Sequence, residues 1–393
     1  MMYPLSSYTP RVTRARSLCL PDTRALSSSL AVLMLLLCSA LPSGAEDRSA
    51  PQELVNADGT YKTVPLEKDT VTLTLIQSAA DRIKDVKDAP KILKKNAEHM
   101  VEMGRRACKA EKKPDILLFH EFPLTGYFFG KRPQKLEVAI NIPGPETALL
   151  SALASECDAY LVFGAYAKDA EWPGHVLSIN TVIGRKGQII KKVWKPKNIK
   201  RFYDTFEIST TTVESVQRAF RAKYGVDDEF PVIRTEFGNL AVTTVQLDPM
   251  IFAAFAMKGT EIMLRTSTLF FRSDVISTAM VNDVYSAMAN IPMKSKYAGH
   301  SIIVDPNGKV LAEVDSHEGE GIISAEIPIA EFRRRRRLPQ YPVGFTRSVF
   351  SQYQDEIPPD HMELPADQLP VDGKAMKVLI DAKSRWRARP PKK

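Results

Sequence analysis

The chain has 393 residues, 44% of them apolar, and carries 54 Lys and Arg against 46 Asp and Glu for a net charge of +8. These proportions exclude disordered, collagenous and coiled-coil chains, and they leave room for one large α/β domain or two ordinary ones. Four cysteines without a C-x-x-C pair exclude a disulfide-stapled scaffold and a cysteine zinc site.

The charge sits at the ends. Residues 1–45 hold four arginines against one aspartate, and residues 374–393 hold eight Lys and Arg against one aspartate. Together these exceed the whole net charge, so the body between is slightly acidic. That argues against nucleic acid as a partner, because a binding fold spreads its positive charge over a folded face. The six histidines lie far apart. The one near-motif, His120-Glu121, has Leu124 where a zinc-protease helix carries its second histidine, so neither a metal nor another cofactor is expected.

In chain order, residues 30–41 form an apolar run of about a dozen, followed by Pro42-Ser43-Gly44-Ala45. This is the layout of a secretory signal cleaved near Ala45, and the run is shorter than the about 20 residues needed to span a membrane. A secreted, periplasmic or extracellular protein is therefore expected, with residues 46–69 as an N-terminal extension. Residues 71–77 are rich in β-branched side chains and read as the first strand. A helix over 90–110 follows, with Ile92, Leu93, Ala97, Met100, Val101, Gly104 and Cys108 on one face. Cys108 on that face reads as a small core residue.

Strands and helices then interleave. Strands are expected at 115–121, 160–165, 177–185 and 188–193, with a helix at 146–157. Further on come a strand at 240–247, a helix at 249–258, a strand at 261–266, a helix at 273–289 and a strand at 301–304. Asp305-Pro306-Asn307-Gly308 is a hairpin turn into 310–314, and 321–327 is the last strand. No linker interrupts the pattern, so residues 70–332 read as one α/β domain with mixed sheets. Beyond it, the five arginines at 333–337 read as a solvated helix end leading into a Pro-rich and basic arm over 333–393. The alternative for this arm is a salt-sensitive contact with an anionic surface.

The segment Glu121-Phe122-Pro123-Leu124-Thr125-Gly126-Tyr127 follows a strongly apolar strand. A carboxylate at such a strand end is partly desolvated, which moves its pKa toward that of a general base. This segment resembles the first motif of the nitrilase, or carbon–nitrogen hydrolase, superfamily. Ser178-Ile179-Asn180-Thr181, the stretch from Gly187 to Lys195, Gly259-Thr260-Glu261 and the run from Gly299 to Gly308 are similar to later motifs of that family in the same order. The resemblance covers about residues 70–330. It implies an α-β-β-α sandwich of the nitrilase type, assembled as a homodimer or larger homo-oligomer.

It also implies hydrolysis of an amide or nitrile C–N bond. In that family a cysteine attacks the carbon, a glutamate takes its proton and a lysine stabilises the oxyanion. Glu121 takes the place of the base and Lys195 that of the oxyanion stabiliser, with Lys192, Lys197 and Lys200 as rivals for the second role. The nucleophile position, counted from Gly238, is occupied by Val245, which has no lone pair with which to attack. Thr244 and Thr243 flank it on the same strand. Strand alternation turns Thr244 away from the pocket and leaves Thr243 facing it about 6–7 Å further back. Asp248 stands nearby as an activator of water. The binding set is completed by Tyr127, Asp248 and a second glutamate, Glu207 ahead of Glu229, and the stretch 205–225 is a packed surface helix or a lid over the pocket. Two functions follow from the resemblance. One is a carbon–nitrogen hydrolase impaired in the thioester route, and the other is a non-catalytic protein that binds a small amide or carboxylate, or a protein partner.

Overall fold

The computed structural model describes residues 54–198, 210–269 and 271–386. The expected leader over 1–45 and the residues Lys200 and Glu207 lie outside them. The first half of the described chain runs β1 (Val71–Gln77), α1 (Ala89–Cys108), β2 (Ile116–Phe119), α2 (Arg132–Val138), α3 (Pro145–Cys157), β3 (Tyr160–Ala167), β4 (Val176–Ile183), β5 (Ile189–Trp194), β6 (Thr210–Thr211) and α4 (Gln217–Tyr224). The second half runs β7 (Val232–Thr235), β8 (Gly238–Thr243), α5 (Pro249–Met257), β9 (Ile262–Ser267), α6 (Arg272–Asn282), β10 (Tyr285–Asn290), β11 (Ile302–Val304), β12 (Val310–Glu313), β13 (Gly321–Ile327), α7 (Ile329–Arg335), α8 (Val343–Phe350) and α9 (Gly373–Lys383).

Two mixed sheets result. One has the order β13-β1-β2-β3-β4-β5, with β6 beside β4, and the other has the order β12-β11-β10-β9-β8-β7. Alternation along the strands decides which side chains face which layer. Leu73, Leu75, Leu118 and Val162 from the first sheet meet Leu240, Val242, Leu264 and Ala287 from the second in one apolar layer. The opposite face of the first sheet, with Leu117, Phe119, Leu161 and Phe163, packs against Leu93, Met100, Leu150 and Leu153 of α1 and α3. The opposite face of the second sheet is covered by Phe252 and Phe255 of α5 and by Val275 and Ala279 of α6. The stack is α-β-β-α.

Several elements differ from the sequence expectations. The segment read as one helix over 273–289 is α6 followed by β10. Asp283 adopts φ 47°, which ends the helix, and the chain re-enters the sheet between β9 and β11. The strand expected at 240–247 stops at Thr243. Cys108 is joined to Cys157 in a disulfide that ties the C-terminal ends of α1 and α3 together. The extension is not loose at its end, since Tyr61 is buried and donates to Glu261 Oε1 at 2.9 Å.

The arginine run divides. Arg334, Arg335 and Arg337 are exposed, whereas Arg333 makes two 2.7 Å bonds to the fully buried Glu261 carboxylate. The Arg336 side chain is buried, donates to the Asp283 carbonyl at 2.7 Å and lies over the rings of Tyr61 and Phe332. The domain therefore extends past residue 332. The segment beyond it also packs, with Met362, Leu369, Met376 and Ile380 joining the apolar cluster and the backbone bonded to Arg132 of α2 and to Ser215.

Candidate active site

Glu121 leaves the end of β2 at a point held by its neighbours. His120 is fully buried; its Nδ1 accepts the Phe122 N–H at 3.3 Å and its Nε2 faces the Ser78 carbonyl at 2.9 Å. Those partners require the neutral ring with the proton on Nε2. Burial pushes its pKa down to about 4. On the next strand Gly164 leaves the space that Glu121 occupies, because a Cβ there would stand 2.5 Å from the Glu121 carbonyl oxygen.

The Glu121 carboxylate makes two contacts. Lys195 Nζ lies 3.3 Å from Oε1, and Thr268 Oγ1 donates to Oε2 at 3.0 Å. Lys195 is placed by the end of β5, where its N–H donates to the Ser178 carbonyl at 3.0 Å. Two of the rival lysines are engaged elsewhere. Lys192 pairs with Asp169 at 3.0 Å and Lys197 with Asp248 at 3.1 Å. Asp248 thus lies beside a lysine outside the cavity lining, and Glu229, paired with Arg221 at 2.6 Å, is a structural ion partner.

Glu121, Lys195 and Thr268 border a cavity of about 190 Å³. Phe122, Tyr127, Phe129, Tyr166 and Tyr297 give it aromatic walls, so Tyr127 is placed at the site. Phe122 stacks on Tyr166 with ring centroids 4.1 Å apart. Ser178, Asn198, Thr210 and Ser295 add polar edges. Of the two readings of the stretch 205–225, the described part follows the packed one, with Val213, Val216 and Phe220 buried and Phe220 and Tyr224 against Trp194.

The third side of the cavity corrects the sequence expectation. Thr244 and Gln246 line it and Val245 does not. Val245 is buried in the apolar cluster of Ala241, Phe252, Phe255 and Met263 under α5. The alternation counted from the strand fails because β8 ends at Thr243 and the chain then bends under specific bonds. Thr243 Oγ1 accepts the Val245 N–H at 3.2 Å, and Arg265 donates to the Val245 carbonyl at 3.2 Å. Arg265 forms a buried ion pair with Asp274, and the same carboxylate accepts the Leu247 N–H at 3.0 Å. Leu247 adopts φ 56°, so the turn is held in a backbone conformation that few side chains enter without such anchoring. Thr244 Oγ1 and Gln246 Oε1 are buried and have no hydrogen-bond partner among the described residues.

The arrangement supplies a base, a cation, an unpaired hydroxyl and an unpaired carbonyl oxygen around one small space. Among the described residues no cluster of His, Cys, Asp and Glu has the grouping of a metal site. Sequence reasoning missed Thr268 and Gln246 and wrongly turned Thr244 away from the cavity. Neutral residues at strand ends carry no charge signal, and only the bonding of the turn reveals where the last two face.

Comparison with known proteins agrees with this picture of the fold. Residues 88–337 match the family model described as carbon-nitrogen hydrolase. A bifunctional nitrilase/nitrile hydratase of Lupinus angustifolius is 26% identical over 60% of this chain and 65% of its own length, so the chain spans just under two thirds of that relative. An omega-amidase of Xenopus laevis is 29% identical over 62% of this chain and 92% of its own. Among solved structures, an amidase from Nesterenkonia sp. AN1 superposes with a TM-score of 0.51 at 17% identity, covering 73% of this chain and all of that one. A nitrilase-superfamily member of Saccharomyces cerevisiae superposes with a TM-score of 0.52 at 21% identity, covering 74% and 98%.

Proposed function

Since the chain belongs to the carbon-nitrogen hydrolase family, we propose that its cavity binds a small amide or carboxylate and that this site does not carry out the thioester route. One observation supports this most. The polar machinery of Glu121, Lys195 and Thr268 is assembled, yet among the described residues no cysteine thiol borders it. Cys108 and Cys157 are spent in a disulfide, and the chain's other cysteines, Cys19 and Cys38, precede the described residues. Glu121 and Lys195 persist in this reading as a desolvated pair in which each charge stabilises the other, and either one alone would be a buried, uncompensated charge.

The test is to install the missing atom where the cavity is, at Thr244→Cys. The thiol would lose its proton to Glu121 and bond to the amide carbon beside Lys195. The proton would pass to the departing ammonia, and water would cleave the thioester to the acid. Ammonia release or an acyl mass adduct in the variant, with neither in the natural protein, is the expected result. Val245→Cys serves as the control, because that side chain points into the apolar cluster. If Thr244→Cys stays inert toward a broad panel of amides while remaining folded, the assignment of the cavity is wrong.

A second reading is favoured by the unpaired, buried Thr244 Oγ1, which would act as a hydroxyl nucleophile in an amidase. It requires that the natural protein release ammonia from an amide and that Thr244→Ala abolish that release.

The protein is proposed to be exported, with a leader removed near Ala45. The Cys108–Cys157 bridge supports this, because disulfides persist in oxidising compartments. Homo-oligomerisation is proposed as well, supported by the exposed Met250 on α5 and Met280 and Val281 on α6.

A further inference from the structure

Gln246 is a polar group of the cavity whose orientation is dictated by its neighbours. The Ser267 hydroxyl donates to the Leu269 carbonyl, so its lone pairs are left to accept, and the Leu269 N–H takes one of them at 3.0 Å. The Gln246 side chain bonds to the same oxygen and must therefore present its NH2 end there. Its Oε1 is consequently fixed away from Ser267. It is buried in a residue only 5% exposed and finds no donor among the described residues. Thr244, two positions earlier and 2% exposed, offers the second unpaired oxygen of the same lining.

A fixed, unpaired acceptor in a closed space is satisfied by a ligand N–H and repels a ligand oxygen anion. We propose that Gln246 is the residue that selects a primary carboxamide over the matching carboxylate, its Oε1 accepting the amide N–H while Ser267 prevents the side chain from flipping. This deepens the reading of the cavity as a site for small amides or carboxylates and rests on it. Buried polar groups built to bond one ligand reject the isostere that leaves them unpaired, and the discrimination exceeds what an apolar wall can give.

The measurement is the ratio of affinities for short-chain amides and their acids, such as propionamide against propionate and butyramide against butyrate, by calorimetry at neutral pH. The full protein is expected to favour the amide by at least about tenfold. In Gln246→Met, which keeps the volume but removes the acceptor, the ratio should fall toward unity, mainly through weaker amide binding. Ser267→Ala, which leaves Gln246 in place but frees its amide to turn, should lower the ratio in the same direction, and it carries the test should Gln246→Met not fold. If both ligands bind and the variants keep the natural ratio, the proposal is overturned while the reading of the cavity stands. If the natural protein binds neither amides nor acids, that reading fails and this proposal with it.

Discussion

Removing the Asp274 carboxylate would leave the Arg265 guanidinium buried without its counter-ion and the Leu247 N–H without its acceptor. Stranding one partner of a buried pair costs about 3–5 kcal/mol. Asp274→Ala should therefore lower the urea midpoint by that equivalent. It should also weaken ligand binding, since the same carboxylate anchors the turn that carries Thr244 and Gln246. A loss below about 1 kcal/mol would mean that the pair does not hold the turn. Gly164→Ala is expected to act at the same scale by a different route. Its methyl would displace the Glu121 backbone, at a cost of about 1–3 kcal/mol and with loss of the Lys195 contact; a crystal structure of the variant with Glu121 unmoved would refute this. The contrast between Glu121 and Thr244 shows how much of the site was readable from sequence. A charged residue after an apolar strand gives a local signal, and Lys195 was reached only through the family resemblance of the stretch from Gly187, with three other lysines as rivals. The orientation of Thr244 depends on an arginine and an aspartate from other elements, and no local pattern encodes it.

Helices α1 and α3 lie side by side, and the Cys108–Cys157 bridge closes a loop of chain that contains β2, α2 and the whole Glu121 segment. A cross-link over a loop of this size restricts the unfolded chain and contributes about 2–5 kcal/mol. Reduction by dithiothreitol, or Cys108→Ala with Cys157→Ala, should lower the unfolding temperature with little change in the far-ultraviolet circular dichroism; an unchanged temperature would show that the bridge contributes nothing. Elements with a clear period were legible in the same way as α1, whose apolar residues recur at three and four. Strand β10, Tyr-Ser-Ala-Met-Ala-Asn, was not legible. It is buried on both faces and so shows no alternation, it carries two alanines, and it directly follows a helix. Only its bonding to β9 and β11 makes it a strand.

Across the whole molecule, three histidines are held neutral by burial, His120 under the site, His175 beside Thr211 and His361 near the C-terminal segment, each with its pKa pushed down to about 4. An unfolded histidine titrates near 6.5, so between about pH 6.5 and 4 the unfolded chain binds protons that the folded one does not. Stability should be highest above that window and fall through it as the pH drops, before ordinary carboxylates are protonated. Urea midpoints at pH 7 and pH 5 read this directly, and His120→Gln should flatten the difference. Equal midpoints in the natural protein at the two pH values would contradict the assignment. The succession of most strands and helices along the chain was open to sequence reasoning because apolar stretches declare their period, whereas the four layers were implied only by the family resemblance. The fate of the arginine run was not, since a row of like charges looks solvated until its buried carboxylate partner is known.

That partner sets a practical limit on trimming the polypeptide. Glu261 is clasped by Tyr61 from before the first strand and by Arg333 from after the last. A shortened version cut at the ends of the sheets would maroon an anion in the middle of the sandwich. Any minimal folding unit has to begin ahead of Tyr61 and run through Arg336.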